Sequence, residues 1–195
     1  MLPVDVRVLI YNALVRSVLE FACVLYGSAG KGTIDVIEKM QKKIVRNVKG
    51  TSGRAHTNDI FIEFGFLKIR DMIEYNRRIF GHGVMHGIMP ESIRSDFEHV
   101  TAIGCTTRAV NGLNLKIPFC KKSLLASAPS FTVPTAWNTL NLEIKKVQKA
   151  RSFKKLLQKD YFDRYRAEPS CSRTDCYSCA GLSRGHGRSV GAGRI

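Results

Sequence analysis

The stretch from Leu9 to Lys49 decides the fold that we predict for this chain, and it reads LIYNALVRSVLEFACVLYGSAGKGTIDVIEKMQKKIVRNVK. Its first half repeats large apolar residues three and four positions apart, which is the period of an α-helix with one buried side. We therefore predict a long helix that faces the core. The residues on its predicted inner side are Ile10, Leu14, Ser17, Val18, Phe21 and Leu25.

The second half of this stretch, from Thr33 to Lys49, predicts a helix with one apolar side and one basic side. A glycine-rich segment at 27–32 interrupts both patterns, so the two halves should form an αα-hairpin. The apolar side requires a core, and the basic side attracts anions. The predicted apolar residues are Ile34, Ile37, Met40, Ile44 and Val48, and the basic ones are Lys39, Lys42, Lys43, Arg46 and Lys49.

The composition combines an ordinary capacity to form a core with an unusual charge. The chain has 195 residues, of which 44% are hydrophobic, and this is enough for one domain, with or without an appendage. Its 31 Lys and Arg against 16 Asp and Glu give a formal net charge of +15. Such a balance favours nucleic acid as the partner, and the alternative is a solvated basic surface or an acidic protein partner.

The apolar N-terminal segment predicts neither a membrane span nor a signal peptide. Charged residues interrupt it, whereas a span needs about 20 uninterrupted apolar residues. The six cysteines do not follow the pattern of a secreted disulfide framework, since three of them are isolated. We therefore expect an intracellular protein, in the nucleus or the cytoplasm, without a membrane partner. The interrupting residues are Asp5, Arg7, Arg16 and Glu20.

Two further helices complete a predicted helical bundle over residues 1–90. A polar cap region should begin a short helix that ends near Gly65, and a longer helix should run from about Arg70 to Met85. We expect Arg77 and Arg78 of the longer helix to stay outside the core. Four amphipathic helices can bury their apolar sides only against each other, which predicts a compact bundle.

His82 and His86 stand four residues apart in the longer helix, a spacing that can hold a metal ion. The pair lacks an adjacent glutamate and a neighbouring third ligand. We therefore interpret these histidines as ordinary polar residues of the helix.

Residues 91–166 predict a less regular extension of the bundle. A short helix should follow Pro90, and alternating apolar residues at 113–118 predict a short strand. The Ser-, Ala- and Pro-rich segment at 121–134 predicts an irregular connection.

A tryptophan and a basic helix complete this extension. Trp137, the only tryptophan, should anchor the core, because a single Trp has this role more often than it stacks on a base. A terminal helix over 152–162 should expose a second basic side with Lys154, Lys155 and Lys159. Its predicted apolar residues are Phe153, Leu156, Leu157 and Tyr161.

The tail at 167–195 changes to Pro, Ser, Gly, Cys and Arg, without an apolar stripe that could build a core. Three cysteines and a histidine provide the ligand set that tetrahedral zinc favours, so we predict a zinc site there. The alternative is a tail in which the cysteines cluster without metal. In either case the Gly- and Arg-rich end can bind phosphates as a flexible arm. The candidate zinc ligands are Cys171, Cys176, Cys179 and His186.

In their order along the chain, these segments resemble the region that follows the palm in reverse transcriptases of non-LTR (LINE-like) retrotransposons. The resemblance runs from about Leu9 to Tyr165 and depends on the succession of motifs more than on any one motif. The segments that carry it are residues 9–21, 26–28, 40–46, His56, residues 64–69, Arg108, Trp137 with Asn138, and residues 152–155.

The resemblance implies a helical thumb and a C-terminal extension that grip a template-primer beside the polymerase site. Many members of that family of RNA-directed DNA polymerases end in a zinc knuckle, although the order of ligands in this tail departs from the common Cys-Cys-His-Cys. Polymerases need clustered carboxylates to hold two metal ions, and this chain contains no Asp-Asp pair. We therefore expect a palm-less remnant or fragment of a transposable element that does not polymerise alone.

The sequence thus predicts a mainly α fold: a helical thumb-like bundle, a short strand-containing C-terminal extension and a zinc knuckle tail. The expected function is non-catalytic binding of RNA or DNA, with the palm-containing part of a reverse transcriptase as a further partner. Two alternatives remain, a co-opted adaptor that docks acidic protein or ribonucleoprotein, and a decayed product without a selected role. The predicted nucleic-acid-binding residues are Lys39, Lys42, Lys43, Arg46, Lys49, Arg54, Lys154 and Lys155.

Overall fold

The described part of the chain is mainly helical, which confirms the coarse fold class. The computed structural model describes residues 2–51, 53, 55–100, 112–121 and 123–167, and only the backbone of residues 123 and 124. Within these ranges no helix is long and apolar enough to cross a bilayer. The helices are α1 (Val4–Ile10), a π-helix (Tyr11–Arg16), α2 (Ser17–Glu20), α3 (Cys23–Tyr26), α4 (Lys31–Lys49), α5 (Asn58–Phe64), α6 (Ile69–Met85), α7 (Glu91–Arg94), α8 (Ser123–Ala126), α9 (Pro129–Asn138), α10 (Leu142–Lys145) and α11 (Ala150–Ala167).

The first helical segment is not one continuous α-helix. It runs as α1, changes to the π-helix and returns to α-helical geometry as α2. Ala22 then adopts a left-handed conformation with a φ of 51°, which separates α2 from α3. The predicted pair of helical halves around a glycine-containing turn is therefore confirmed, whereas the continuous first helix is not.

The predicted inner side of this first segment is its outer side in the structure. Phe21, for example, is 79% exposed. The buried side instead carries Tyr11, whose ring stacks on Phe66 with 4.1 Å between the ring centroids. The predicted inner residues, all of which are exposed, are Ile10, Leu14, Ser17, Val18, Phe21 and Leu25.

A second apolar stripe explains this reversal. Tyr11, Val15 and Leu19 also follow each other at helical spacing, and each of them packs against a core cluster. Periodicity alone therefore cannot decide which stripe is buried. Tyr11 can fill a large volume and also use its hydroxyl, which accepts a hydrogen bond from the buried Gln41 side chain at 3.1 Å.

Gln41 joins α4 to the segment that precedes α6. Its amide nitrogen donates to the Leu67 carbonyl oxygen at 2.9 Å, and its amide oxygen accepts from the Ile69 N–H at 2.9 Å. The inner side of α4 is therefore centred on Gln41, and Met40 is 59% exposed, so the prediction that Met40 packs inward is wrong. The buried residues of α4 are Ile34, Gln41, Val45 and Val48.

The C-terminal ends of α4 and α5 lie at the glycines where the sequence predicts them. Gly50 ends α4 with a φ of 77°, and Gly65 ends α5 with a φ of 66°. This left-handed conformation favours glycine because a Cβ atom would be strained there. Both helix ends and the extent of α6 match the predictions.

The two arginines in α6 do not stay outside, as we expected. Arg78 is buried, and its guanidinium donates to the Tyr161 hydroxyl at 2.9 Å and pairs with Glu74. Arg77 is half-buried and donates to the Ser28 hydroxyl at 2.9 Å. The prediction is wrong for Arg78 because its partners compensate the loss of hydration of the cation, whereas Arg77 is only partly compensated and burial lowers its pKa.

The segment 121–134, predicted to be irregular, contains α8 and the first part of α9. Pro129 occupies the start of α9, where the missing N–H removes no helical hydrogen bond. Val133 and Trp137 stand four residues apart and are completely buried, which confirms Trp137 as a core anchor. Gly81 of α6 permits this packing, because a Cβ atom there would lie 3.0 Å from Trp137.

The strand predicted at 113–118 is reduced to a single bridge within the described residues. Leu115 forms an isolated antiparallel bridge with His99. On its other side, the Leu115 N–H donates to Oδ1 of Asn138 at 3.0 Å, and Nδ2 of Asn138 donates to the Leu115 carbonyl at 2.7 Å. One side-chain amide thus occupies the place where a second strand would pair.

The terminal helix is confirmed and is longer than predicted. α11 buries Tyr161 and Tyr165 on the same side as Phe153 and Leu157, whereas Leu156 is 43% exposed and does not face inward. Residues of α11 share one core with α4, α6 and α9, so buried side chains from both 1–90 and 91–166 contact each other. The division of the chain near residue 90 stays a prediction.

Candidate nucleic-acid interface

Besides Lys31 at its first residue, α4 has two cations, Lys39 and Lys43, that lie exposed without an ion pair to any residue in the described ranges. They stand four residues apart, on the side of the helix opposite to the buried Gln41. Their positive charge is therefore available to a phosphate without the separation of an existing pair.

Lys42 belongs to a local ionic network. It pairs with Glu38 at 2.5 Å, and the same carboxylate accepts from Nε of Arg70 at 2.9 Å. Arg70 also pairs with Asp35. Partial burial raises the pKa of Glu38, but hydrogen bonds from Lys42 and Arg70 outweigh this effect and hold the pKa below its ordinary value. Two cations and two carboxylates balance here, so the network adds no net charge to the surface.

Arg46 and Lys49 are used within the fold. Lys49 pairs with Glu63 of α5 and lies above the Phe64 ring at 5.7 Å. Arg46 donates from Nε to the Ala55 carbonyl oxygen at 2.8 Å. This hydrogen bond positions Arg46 but does not neutralise its charge, so Arg46 can still attract a phosphate.

The first half of α11 carries the most regular row of exposed cations. Lys154 and Lys155 are exposed, as predicted. Arg151 and Lys159 are exposed as well, and Arg151, Lys155 and Lys159 form a stripe at successive i+4 positions, which we call the α11 stripe. The stripe spans about 12 Å along the helix axis, roughly the rise of three to four base pairs. None of its members has an ion pair with a residue in the part of the chain that the structure describes.

Sequence reasoning left Arg151 and Lys159 out of the predicted binding residues. The signal that identifies them is their i+4 relation to Lys155, combined with the absence of an acidic residue between 144 and 159. The second half of α11 differs because its charges are paired. These pairs are Asp160 with Arg164 and Asp163 with Arg166.

Helix α6 holds the two cationic surfaces at separate places. Near its first residue, the Ile69 N–H donates to Gln41 of α4 at 2.9 Å. Near its end, the His82 ring stacks on Phe153 of α11 with 4.3 Å between the ring centroids. The two contact points are 13 residues apart in sequence, which corresponds to about 20 Å along the helix.

The histidine pair of α6 makes hydrogen bonds to the backbone. His82 is buried and bonds through Nε2 to the Val147 carbonyl oxygen at 2.8 Å, and His86 bonds through Nε2 to the Lys145 carbonyl oxygen at 3.3 Å. These contacts fix the segment between α10 and α11. They account for both imidazoles without a metal ion.

Lys145 is buried, so its cation cannot contribute to a surface that binds nucleic acid. Its ammonium donates to Oδ1 of Asn114 at 2.8 Å and to the Asn138 carbonyl oxygen at 3.0 Å. Burial lowers its pKa. Its role is to connect α10 with the segment around Leu115.

Some predicted site residues lie outside the described residues. Arg54 is one of them, as is the whole candidate zinc site, so both stay predictions. In the ranges that the structure describes, no group of three or more His, Cys, Asp or Glu is placed to hold a metal ion. The four candidate zinc ligands are Cys171, Cys176, Cys179 and His186.

Comparison with known proteins gives no relative: no family model, no curated protein and no solved structure matches the chain. The features that define the protein are therefore its helical fold and its two cationic helical surfaces.

Proposed function

We propose that this chain is a non-catalytic nucleic-acid-binding unit, of the kind that follows the palm in non-LTR reverse transcriptases. It binds an RNA or DNA template-primer through basic helices and leaves polymerisation to a palm-containing partner. In this proposal the phosphates provide most of the affinity and little sequence preference.

The observation that carries the proposal is the α11 stripe. Arg151, Lys155 and Lys159 present three exposed cations in register along one helix side, without a carboxylate that would compete for them in the described structure. Lys39 and Lys43 of α4 supply a second surface of the same chemistry. The net charge of +15 adds long-range attraction for a polyanion.

Charge-removal variants test the proposal on an RNA/DNA hybrid of about 18 base pairs and mixed sequence. Affinity falls as salt rises, so the slope of log affinity against log salt is negative. We expect the triple variant Arg151→Ala, Lys155→Ala, Lys159→Ala to reduce the magnitude of this slope by about 2–3, since each lost phosphate contact removes about 0.9. The double variant Lys39→Ala, Lys43→Ala should reduce the magnitude of the slope by about 1–2 for the same reason. Fluorescence anisotropy over a salt series measures both.

The chain supplies a matched control on α4. The pair Lys42→Ala, Lys49→Ala removes the same charge as the Lys39 and Lys43 pair, but it removes cations that already have carboxylate partners. We expect this control to change the salt slope little. If the triple variant and the Lys39, Lys43 pair both bind the hybrid with the wild-type affinity and slope, the proposal is wrong.

A further inference from the structure

The N-terminal helices present an apolar ridge to solvent. Its exposure ranges from 41% at Ile10 to 79% at Phe21. Each side chain offers on the order of 100 Å² at such exposures, so the six residues of the ridge together offer about 600 Å², without the groove beside them. The largest apolar patch on a monomeric protein is usually about 300–600 Å². The ridge consists of Leu9, Ile10, Leu14, Val18, Phe21 and Leu25.

An apolar groove lies beside the ridge. It runs between the π-helix and the C-terminal half of α4 and has a volume of about 160 Å³. A cavity of about 150 Å³ with apolar walls can hold a benzene-sized ring. The groove is therefore large enough for one phenylalanine side chain. Its lining includes Arg7, Ile10, Tyr11, Val15, Ile44 and Val48.

The charges on the N-terminal helices provide no net attraction for a polyanionic or strongly acidic occupant. Helices α1 to α3 and the π-helix contain two acidic and two basic residues, so their formal net charge is zero. Arg16 and Glu20 pair with each other at 2.8 Å, and Arg7 donates to the Asn47 carbonyl oxygen at 2.8 Å. The cations that attract nucleic acid lie instead on α4 and α11.

We propose that a second copy of this chain covers the ridge, in a two-fold symmetric dimer whose N-terminal helical segments pair antiparallel about Leu14. In this register Ile10 of one copy faces Val18 of the other, and Leu14 faces its own symmetry mate. Phe21 faces the position of Arg7, whose side chain lines the groove, so each copy inserts a ring into the groove of the other. Such self-complementarity is what a two-fold interface requires. The ridge supplies most of the roughly 800 Å² that each partner contributes to a standard interface.

This inference goes beyond the proposed function, because it concerns a surface other than the two cationic ones. The dimer leaves the α11 stripe outside the helix pair. Two nucleic-acid-binding units would then act together, and linked sites of this kind raise the overall affinity without new contacts.

The oligomeric state of the full chain, treated with nuclease and kept in about 0.5 M salt, tests the proposal. Light scattering coupled to gel filtration should give twice the 21.8 kDa of one chain, at concentrations up to about 100 μM. Leu14→Glu should give the mass of a single chain, because it opposes two carboxylates at the two-fold axis. Leu156→Glu is the matched control, since it changes an exposed leucine of α11 and should leave the dimer intact.

A charge-pair rescue tests the antiparallel register. Ile10→Glu and Val18→Lys should each weaken the dimer, because each buries a charge without a partner. The double variant should recover the dimer, since the introduced carboxylate of one copy then faces the introduced ammonium of the other. Circular dichroism verifies that all variants remain helical.

Several outcomes would overturn the proposal. A wild-type chain that stays monomeric at all concentrations excludes the dimer, and so does a dimer that persists unchanged in Leu14→Glu. Failure of the rescue rejects the register about Leu14. None of these measurements includes nucleic acid, so their failure is distinct from failure of the proposed function.

Discussion

Among single residues, Gln41 stabilises the fold through buried hydrogen bonds, which the exposed residues of α4 do not make. Its amide connects Tyr11, Leu67 and Ile69 through three hydrogen bonds in the core. Gln41→Leu keeps most of the volume but leaves the Leu67 carbonyl and the Ile69 N–H without a partner. An unsatisfied buried polar group costs about 1–3 kcal/mol. We therefore expect this variant to lower the free energy of unfolding by about 2–4 kcal/mol, as measured by urea denaturation.

Gln148→Leu is the control for Gln41→Leu. It makes the same chemical change at an exposed position, and surface substitutions usually change stability by less than about 0.5 kcal/mol. An equal loss of stability in the two variants would contradict the role assigned to the buried amide.

His82 should make the stability of the protein depend on pH. Burial lowers its pKa below the ordinary 6.5, the hydrogen bond with Val147 opposes this shift, and the nearby His86 and Lys154 add to it. As the pH falls below about 6.5, the unfolded chain therefore binds a proton that the folded chain resists. The contribution of His82 is fully present above about pH 6.5 and is lost as the pH falls through this range, with a slope of at most about 1.4 kcal/mol per pH unit.

His82→Leu separates this effect from the titration of other groups. The variant lacks the imidazole, so its free energy of unfolding should change less steeply between about pH 6.5 and pH 5 than that of the wild type. Urea denaturation at a series of pH values measures both slopes. Identical slopes would show that His82 does not cause the dependence.

Among the helices, those with one apolar stripe could be predicted from the sequence. α5 and α6 each have one side that can bury apolar residues, and their extents follow from periodicity and from the glycine that ends α5. α11 follows in the same way, with Leu156 as the exception. A single stripe leaves only one orientation for burial, so local spacing is sufficient.

The N-terminal helical segment could not be oriented in this way because it has two stripes. Only the contact of Tyr11 with Phe66 and Gln41 selects the buried one, and these partners lie in distant parts of the sequence. The exposed ridge is therefore a property of tertiary structure. Sequence spacing alone predicts the opposite side.

The predictions for the segments around α9 are wrong for a different reason. Pro129 and the serines near it are typical of loops, so the composition predicts an irregular segment. A helix forms instead because it buries Val133 and Trp137 completely, and burial of these apolar side chains stabilises it. At 113–118, the alternation was typical of a strand, yet Asn138 supplies the hydrogen bonds that a neighbouring strand would make. In both cases the deciding partner is a side chain from elsewhere in the fold.

The sequence could predict which basic residues lie on the surface of α4 and α11. It could not fully predict which of them lack a carboxylate partner. The spacing of lysines located the basic sides of α4 and α11. The i+4 spacing does indicate the pair of Glu38 with Lys42, but it could not show that Lys49 pairs with Glu63 of another helix, or that Asp35 pairs with Arg70 and not with Lys39 four residues after it. Exposure follows from local periodicity, whereas charge pairing depends on how helices pack.

In the whole molecule, the net charge of +15 is unevenly distributed. Within the part of the chain that the structure describes, the N-terminal helices carry no net charge and expose apolar side chains, while the two rows of unpaired cations lie on α4 and on α11. Apolar contact and phosphate binding are thus assigned to different surfaces. The proposed dimer and the proposed nucleic-acid binding therefore concern separate surfaces and do not compete for the same residues.

A molecule that uses both cationic surfaces together should need a nucleic acid that reaches both. Their contact points on α6, at Ile69 and His82, are about 20 Å apart, and the cations lie on the sides of α4 and α11 that face away from these contacts. A duplex that reaches both surfaces must therefore extend beyond roughly six base pairs. We expect the affinity for RNA/DNA hybrids to rise steeply up to about 8–12 base pairs and weakly beyond that length, because shorter hybrids contact one surface at a time. Neutralising either the α11 stripe or the pair of Lys39 and Lys43 should remove the steep rise, since one surface then remains. Anisotropy titrations over a series of hybrid lengths measure this, and variants that keep the wild-type length dependence would show that the two surfaces do not share one nucleic acid.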